Sequence, residues 1–249
     1  MESTPTKNKT YFISDLHLDP SNPHLFKLFH AFIEKITPDA EALYILGDLF
    51  EFWIGDDIID LPVGKPYLPI IKQLKSLSDS GVKLYFIQGN RDFLISETFV
   101  KRIGASLLAD ECVVDLYGTK VLIMHGDTLC TDDKAYQLMR KLFRLKIVQK
   151  IYLWMSPEKR TQKAETVRKT SKNQTKQKPS MILDVNQQTV EKRLKRWGVS
   201  FMIHGHTHRP AEHDFVIDNH QKKRIVLGDW GDKWSYLECA SKQHFELNF

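Results

Sequence analysis

The stretch TYFISDLH, Thr10–His17, begins as an apolar run rich in aromatic and β-branched side chains and ends on a carboxylate and an imidazole. Read by composition, Thr10–Ser14 is a short buried strand that delivers Asp15 and His17 at its carboxyl end. The same arrangement recurs along the chain. ALYIL at Ala42–Leu46 runs into Gly47 and Asp48, and VKLYFI at Val82–Ile87 runs into GNRD, with Asn90, Arg91 and Asp92. VLIM at Val121–Met124 leads to HGD, with His125 and Asp127, and SFMIH at Ser200–His204 leads to GHTH, with His206 and His208. Ligands of open α/β sheets collect outside the carboxyl ends of strands, so these loops can converge on one spot.

The segments between the strands set the fold class. Leu25, Leu28, Phe29, Phe32, Ile33 and Ile36 recur at helical spacing behind Pro23, and Ile70, Ile71, Leu74 and Leu77 mark a crossover helix. ECVVDLYGTKVLIM reads as a hairpin turning at Tyr117–Gly118, and the tail from Phe215 alternates as short strands. Alternating strands and helices first, then mostly strands, predict an α/β (α+β) fold: a βαβ sandwich of two packed sheets flanked by helices. A chain of 249 residues fits one domain, residues 1–249.

With 42% hydrophobic and 27% charged residues the composition is that of a globular protein, and no apolar run reaches the ~18 residues of a spanning helix. The start, MESTPTKNKT, is polar and lacks a signal-peptide core, which points to a cytosolic chain. Cys112, Cys130 and Cys239 are far apart with no CxxC spacing, against a disulfide framework or a cysteine zinc site.

The formal charge of +5 is unevenly spread. Lys134 to Ser180 holds 14 Lys and Arg against 2 Asp and Glu, a local +12, leaving 22 basic and 29 acidic residues, −7, elsewhere. A basic insert on an acidic body points to an anionic partner, a nucleic acid or a membrane surface. The insert, about 132–180, is helical and apolar in its first half, with Leu142, Phe143, Ile147 and Trp154 interleaved with cations. Its second half is polar and basic. Such a helix can lie at a lipid interface or grip acyl chains while meeting phosphates.

Seven residues at the strand ends are the expected metal ligands: Asp15, His17, Asp48, Asn90, His125, His206 and His208. Four imidazoles with carboxylates and one amide suit Mn, Fe or Zn better than an all-oxygen Mg²⁺ or Ca²⁺ site. Seven side chains exceed one tetrahedral site and suit two ions, with Asp48 as the bridge. Two such ions activate water and clamp phosphoryl oxygens. Arg91 supplies a fixed cation where charge develops on phosphorus, and Asn90 and His125 stand beside it as the remaining catalytic candidates. Asp92 and Asp127 are expected to orient His or Arg side chains, and His204 is weighed for the same role. His24, His30, His213, His220 and His244 read as ordinary surface or loop residues.

The series DLH…GD…GNRD…HGD…GHTH resembles the signature of the calcineurin-like metallophosphoesterases. GDLFEFWIGDD, MHGDTLCTDDKAYQ, Ser171–Lys172, MILDVNQ and IHGHTHRP are similar, more narrowly, to the UDP-2,3-diacylglucosamine diphosphatase family of bacterial lipid A biosynthesis. That resemblance runs from about Tyr11 to Pro210 and implies hydrolysis at the α-phosphorus, giving UMP and 2,3-diacylglucosamine 1-phosphate. It implies two Mn²⁺, one on Asp15, His17, Asp48 and His208, the other on Asp48, Asn90, His125 and His206. It further implies substrate contacts at Asn90, Arg91, Asp133, Ser171, Lys178 and His206, and a cap over the metals formed by the insert. Where the family has an Asn after the Ser-Lys pair, this chain has Thr175, whose hydroxyl can still hydrogen bond. The site of action implied is the cytoplasmic face of the inner membrane, with peripheral lipid contact, no nucleic acid and no stable protein partner.

Two other readings use the same residues. A nuclease or nucleotide phosphodiesterase would keep the metals and lay nucleic acid along the basic insert. A membrane- or RNA-binding module would carry an inactive metal site. The full ligand set disfavours the second, and the aliphatic content of the insert, with few stacking aromatics, disfavours the first.

Overall fold

The computed structural model describes residues 7–177, 184–241 and 244–249, the side chains of 169 and 171–177 excepted. Its organisation follows from the period of two in the first strands. In β1 (Lys9–Ile13), Tyr11 and Ile13 join one core and Phe12 another. In β2 (Ala40–Ile45), Leu43 and Ile45 go with the former, Ala42 and Tyr44 with the latter. A strand buried on both faces needs apolar residues throughout, which is why these segments are continuous runs.

β1 and β2 pair in parallel, with Tyr11 opposite Leu43 and Ile13 opposite Ile45, and the sheet continues in parallel through β3 (Lys83–Phe86) to β4 (Ala105–Leu107). On the other side of β1 run β10 (Tyr236–Ser241) and β11 (His244–Asn248), antiparallel. The second sheet has the order β5 (Glu111–Leu116), β6 (Thr119–Met124), β7 (Phe201–His204), β9 (His220–Val226), β8 (Ala211–Ile217). Phe12, Tyr44 and Leu237 meet Val121, Ile123, Ile203 and Ile225 between the two sheets. The β5–β6 turn is the expected one. Tyr117 and Gly118 both take positive φ, and Asp115 Oδ1 accepts the Gly118 N–H.

Helices cover both outer faces. α1 (Pro23–Ile36), α2 (Leu68–Asp79) and α3 (Glu97–Ile103) pack on the first sheet through Phe29, Phe32, Ile71, Leu74 and Phe99. α7 (Gln187–Trp197) seats Val190 and Leu194 on Leu122 and Met202 of the second. Two packed sheets flanked by helices is the architecture expected. The elements that apolar periodicity does not reveal are α3, β4 and α7. Both helices nevertheless carry their stop and start signals: Ser96 and Asn186 cap the amino ends, and Gly104 and Gly198 close the carboxyl ends in the left-handed conformation.

The basic insert forms α4 (Lys134–Phe143), α5 (Lys146–Leu153) and α6 (Pro157–Gln177). Its arginines are not a solvated cationic face. Arg140 meets Asp127 and Asp110, Arg144 meets Asp110, Gln88 and the Gly89 carbonyl, Arg160 meets Asp57 and the Ile54 carbonyl, and Arg168 meets Asp19 and Glu51. The planar guanidinium suits such two-pronged fastening. Lys134, Lys141, Lys146 and Lys150 remain exposed, and none forms an ion pair among the described residues. Beside them Leu138, Leu142, Ile147, Ile151 and Trp154 also face solvent, Trp154 at 94%. No helix of the described residues is long and apolar enough to cross a membrane.

Candidate metal centre

The loops after β1, β2 and β7 carry their polar residues in a conformation L-residues avoid. Asp15, His17, Asp48, His206 and His208 all have φ between 49° and 71°. Such left-handed residues cost free energy and persist where surrounding contacts impose them, typically at functional sites. Here the imposing contacts are backbone pairs between loops: Asp15 N–H donates to Gly47 O, His17 N–H to Asp48 O and Trp230 N–H to Asp15 O. The loops approach so closely that a Cβ at Gly89 would lie 2.1 Å from Asp48 Oδ1, and one at Gly205 2.2 Å from Asp15 Oδ2. Only glycine fits at either position.

Two groups of facing side chains result. In one, His17 Nε2 lies 3.3 Å from His208 Nε2, and His208 Nε2 lies 3.4 Å from Asp15 Oδ1. In the other, His125 Nε2 lies 2.9 Å from Asn90 Oδ1 and 3.7 Å from Asp48 Oδ2. The His206 ring stands edge-on to His125, 5.0 Å between centroids, and the His206 backbone N–H donates to Asp15 Oδ2. Asp15 belongs with His17 and His208 and equally with Asp48 and His125, every ligand atom of each trio lying within 4.8 Å of the others. The structure thus brings all seven predicted ligands into one locality.

The donor chemistry fits cations there. His125 Nδ1 lies 2.8 Å from the Leu46 carbonyl, so its proton resides on that nitrogen and Nε2 offers a lone pair to Asn90 and Asp48 oxygens. Lone pairs facing one another at such distances require a positive charge among them. Asp15 Oδ1 is buried without a hydrogen bond among the described residues. The protein's own electrostatics show the same deficit. Burial opposes protonation of His208, yet Asp15 and Asp229 drive it up to about 10, and Asp48, Asp15 and Asp127 raise His125 against the same penalty. His206 goes the other way, pushed down to about 4 by burial and then His125, which leaves a neutral ligand.

Of the residues expected to orient His or Arg, Asp127 holds an arginine, whereas Asp92 and His204 do not touch the rings of the two trios. Asp92 accepts the Leu49 and Gly89 N–H groups and holds two loops together, and burial and the Asp48 charge push it up to about 7. Asp127 accepts from Tyr136 Oη and Arg140, tying α4 to the site. His204 is buried in β7 between the Gly205 carbonyl and Arg224, and it takes no part in the trios. The carboxylates beside the imidazoles of the first trio are Glu51, 3.2 Å from His17 Nδ1, and Asp229, 3.3 Å from His208 Nδ1. Neither belongs to a strand-end motif, although Glu51 lies three residues past Asp48.

Arg91 lines an apolar cavity of about 210 Å³ between the cap helices and the body. Phe52, Trp53 and Phe93 meet Phe143, Val148 and Tyr152 around it, with Asn90 at the metal side. Asp133 caps α4 by accepting the Tyr136 N–H. Ser171 and Thr175 lie on α6 with side chains outside the described residues, and Lys178 lies outside them altogether.

The calcineurin-like phosphoesterase family matches residues 9–210, from β1 through the second histidine pair. The chain belongs to that family. It is a metal-dependent hydrolase. Among relatives of this phosphoesterase, a protein of Nitrosococcus oceani named UDP-2,3-diacylglucosamine hydrolase is 46% identical over 231 residues, 93% of this chain and 91% of the relative. Proteins of the same name from Vibrio parahaemolyticus (46% over 242 residues, 96% of each chain) and Aeromonas salmonicida (45% over 231 residues, 93% and 89%) are comparably similar.

Proposed function

We propose that this phosphoesterase hydrolyses UDP-2,3-diacylglucosamine at the α-phosphorus, releasing UMP and 2,3-diacylglucosamine 1-phosphate. The observation that carries the reading is the apolar cavity that abuts Asn90 and Arg91, since a diphosphate at the metal side would have its acyl chains beside Phe143 and Tyr152. The shared name of relatives at 45–46% identity supports the same substrate.

Asp15, His17, Asp48 and His208 would hold one ion and Asp48, Asn90, His125 and His206 the other, Mn²⁺ being the ion that this donor set favours. When bound, two such ions polarise phosphoryl oxygens and make water a stronger nucleophile. The remaining work falls to the chain. Arg91 puts a guanidinium at the cavity wall, and its backbone N–H donates to Asp48 Oδ1 at 2.7 Å, so its position is tied to the bridging carboxylate. That cation compensates charge as the α-phosphorus takes up a fifth oxygen. The apolar walls keep bulk water from the diphosphate and use acyl burial to position it.

Residues 1–249 act as one domain, with 132–180 as its cap. Asp133, Ser171, Thr175 and Lys178, with His206, complete the substrate contacts. The exposed Leu138, Ile147, Ile151 and Trp154, set among lysines without an ion pair among the described residues, suit an anionic lipid interface, which supports a peripheral location at the cytoplasmic face of the inner membrane. Nucleic acid and stable protein partners play no part.

The test is hydrolysis of UDP-2,3-diacylglucosamine in H₂¹⁸O with mass spectrometry of the products. The label should appear in UMP. Label in the sugar 1-phosphate would mean attack at the β-phosphorus, and absence of UMP would end the substrate assignment.

A further inference from the structure

Four arginines fasten the cap to the body, and one of them ends on a carboxylate that touches a ligand imidazole. Arg168 of α6 places Nη1 3.1 Å from Asp19 Oδ2 and Nε 2.6 Å from Glu51 Oε1. The other oxygen of that carboxylate, Glu51 Oε2, lies 3.2 Å from His17 Nδ1. This buried nitrogen makes no well-aligned hydrogen bond with any described residue, and the Glu51 carboxylate at 3.2 Å is the acceptor placed beside it.

The backbone beneath this chain is already fixed. His17 N–H donates to Asp48 O, Leu18 N–H to Leu49 O and Glu51 N–H to Leu18 O, stitching the β1 and β2 loops together. What the backbone leaves open is the set of Glu51 side-chain torsions, and ordering a glutamate side chain costs up to ~2 kcal/mol in rotamer entropy. A guanidinium spanning Asp19 and Glu51 selects one arrangement. A histidine ligand depends on such an acceptor at its second nitrogen for ring direction and basicity.

We infer that Arg168 is a positioning residue for the metal centre: reaching in from the cap, it holds the Glu51 carboxylate at His17 Nδ1 and thereby sets the direction in which His17 Nε2 faces. The inference rests on the proposed role of His17 as a ligand. Arg168 also lines the apolar cavity, so one side chain belongs both to the wall that meets the substrate and to the support of a metal ligand.

The test is calorimetric titration of the chelator-stripped full chain with Mn²⁺ alone, comparing wild type with Arg168→Ala, Glu51→Gln, the double variant and Asp57→Asn. Asp57→Asn loosens the same cap at Arg160 without touching Glu51. Arg168→Ala and Glu51→Gln should each weaken one of two Mn²⁺ sites about tenfold. The double variant should be no worse than the stronger single effect, and Asp57→Asn should stay within twofold of wild type. Unchanged Mn²⁺ affinity in Arg168→Ala would overturn the inference, as would an equal loss in Asp57→Asn, which would make cap attachment in general responsible. A wild-type chain that takes up fewer than two Mn²⁺ would overturn the two-metal reading itself, and that result is visible before any variant is compared.

Discussion

Asp15 Oδ1 lies 3.4 Å from His208 Nε2 and, although buried, makes no hydrogen bond with the described residues. A buried carboxylate oxygen left this way is costly unless a cation meets it. Chelation should therefore abolish hydrolysis, and Mn²⁺ should restore it better than Mg²⁺. Binding to the folded state alone at a hundred times Kd adds about 2.7 kcal/mol of stability. For a chain of this size that is a rise of roughly 5–10 °C in Tm. Full activity in metal-free protein, or a Tm indifferent to Mn²⁺, would contradict the metal assignment.

Asp48→Ala should be the most damaging ligand substitution. Asp48 Oδ2 faces His125, while Oδ1 accepts the Arg91 N–H, so its loss affects both the proposed bridge and the loop that carries Arg91. In the proposed arrangement His17 would serve one ion. Measured under saturating Mn²⁺, greater residual turnover in Asp48→Ala than in His17→Ala would transfer the bridging role elsewhere, with Asp15, shared by both trios, the next candidate.

Arg91→Ala should lower kcat by on the order of 10²–10³ with metal content near wild type. The bond to Asp48 comes from the Arg91 backbone, which alanine retains. Metal analysis of the purified variant decides the matter, since loss of metal would make Arg91 structural.

The apolar residues of the cap should separate into two classes. Phe143 lines the cavity and stacks on Phe93, whereas Ile147 is 63% exposed. Phe143→Ser should reduce turnover of detergent-solubilised glycolipid while sparing a small activated phosphodiester. Ile147→Ser should leave both rates alone and weaken sedimentation with anionic vesicles. A Phe143→Ser variant whose two rates fell by the same factor would remove the acyl chains from that cavity.

His204 should make the fold sensitive to acid. Burial, then the Arg224 guanidinium, pushes it down to about 3. An unfolded chain protonates this imidazole below about pH 6.5 while the folded chain does not, so stability is lost as pH falls through that window. At pH 5 this one group accounts for about 2 kcal/mol. In urea unfolding of metal-free protein, the loss between pH 7 and pH 5 should be about 2 kcal/mol smaller in His204→Asn, whatever its stability at pH 7. An undiminished loss would assign the acid sensitivity to other groups.

The sequence by itself determined the strands that end on polar residues, the sandwich class and the seven residues at those strand ends. Runs such as Ala42–Leu46 and Val121–Met124 are apolar throughout because the strands are covered on both faces, and a local pattern of that kind is readable without knowing the partner. The family resemblance rests on the same local stretches. Tertiary structure alone decided what surrounds them. Glu51 and Asp229 reach the His17 and His208 imidazoles, Asp92 holds two loops together and Asp127 holds Tyr136 and Arg140 of helix α4, because the outcome depends on which side chains the folded loops bring within about 3 Å. The insert shows the difference most plainly. Its composition gave a charge, but Arg140, Arg144, Arg160 and Arg168 end on body carboxylates or carbonyls while Lys134, Lys141, Lys146 and Lys150 stay in solvent. A count of cations along the chain cannot tell fastening from display, since each ion pair joins residues far apart in sequence and exists only once the cap is seated on the sheets.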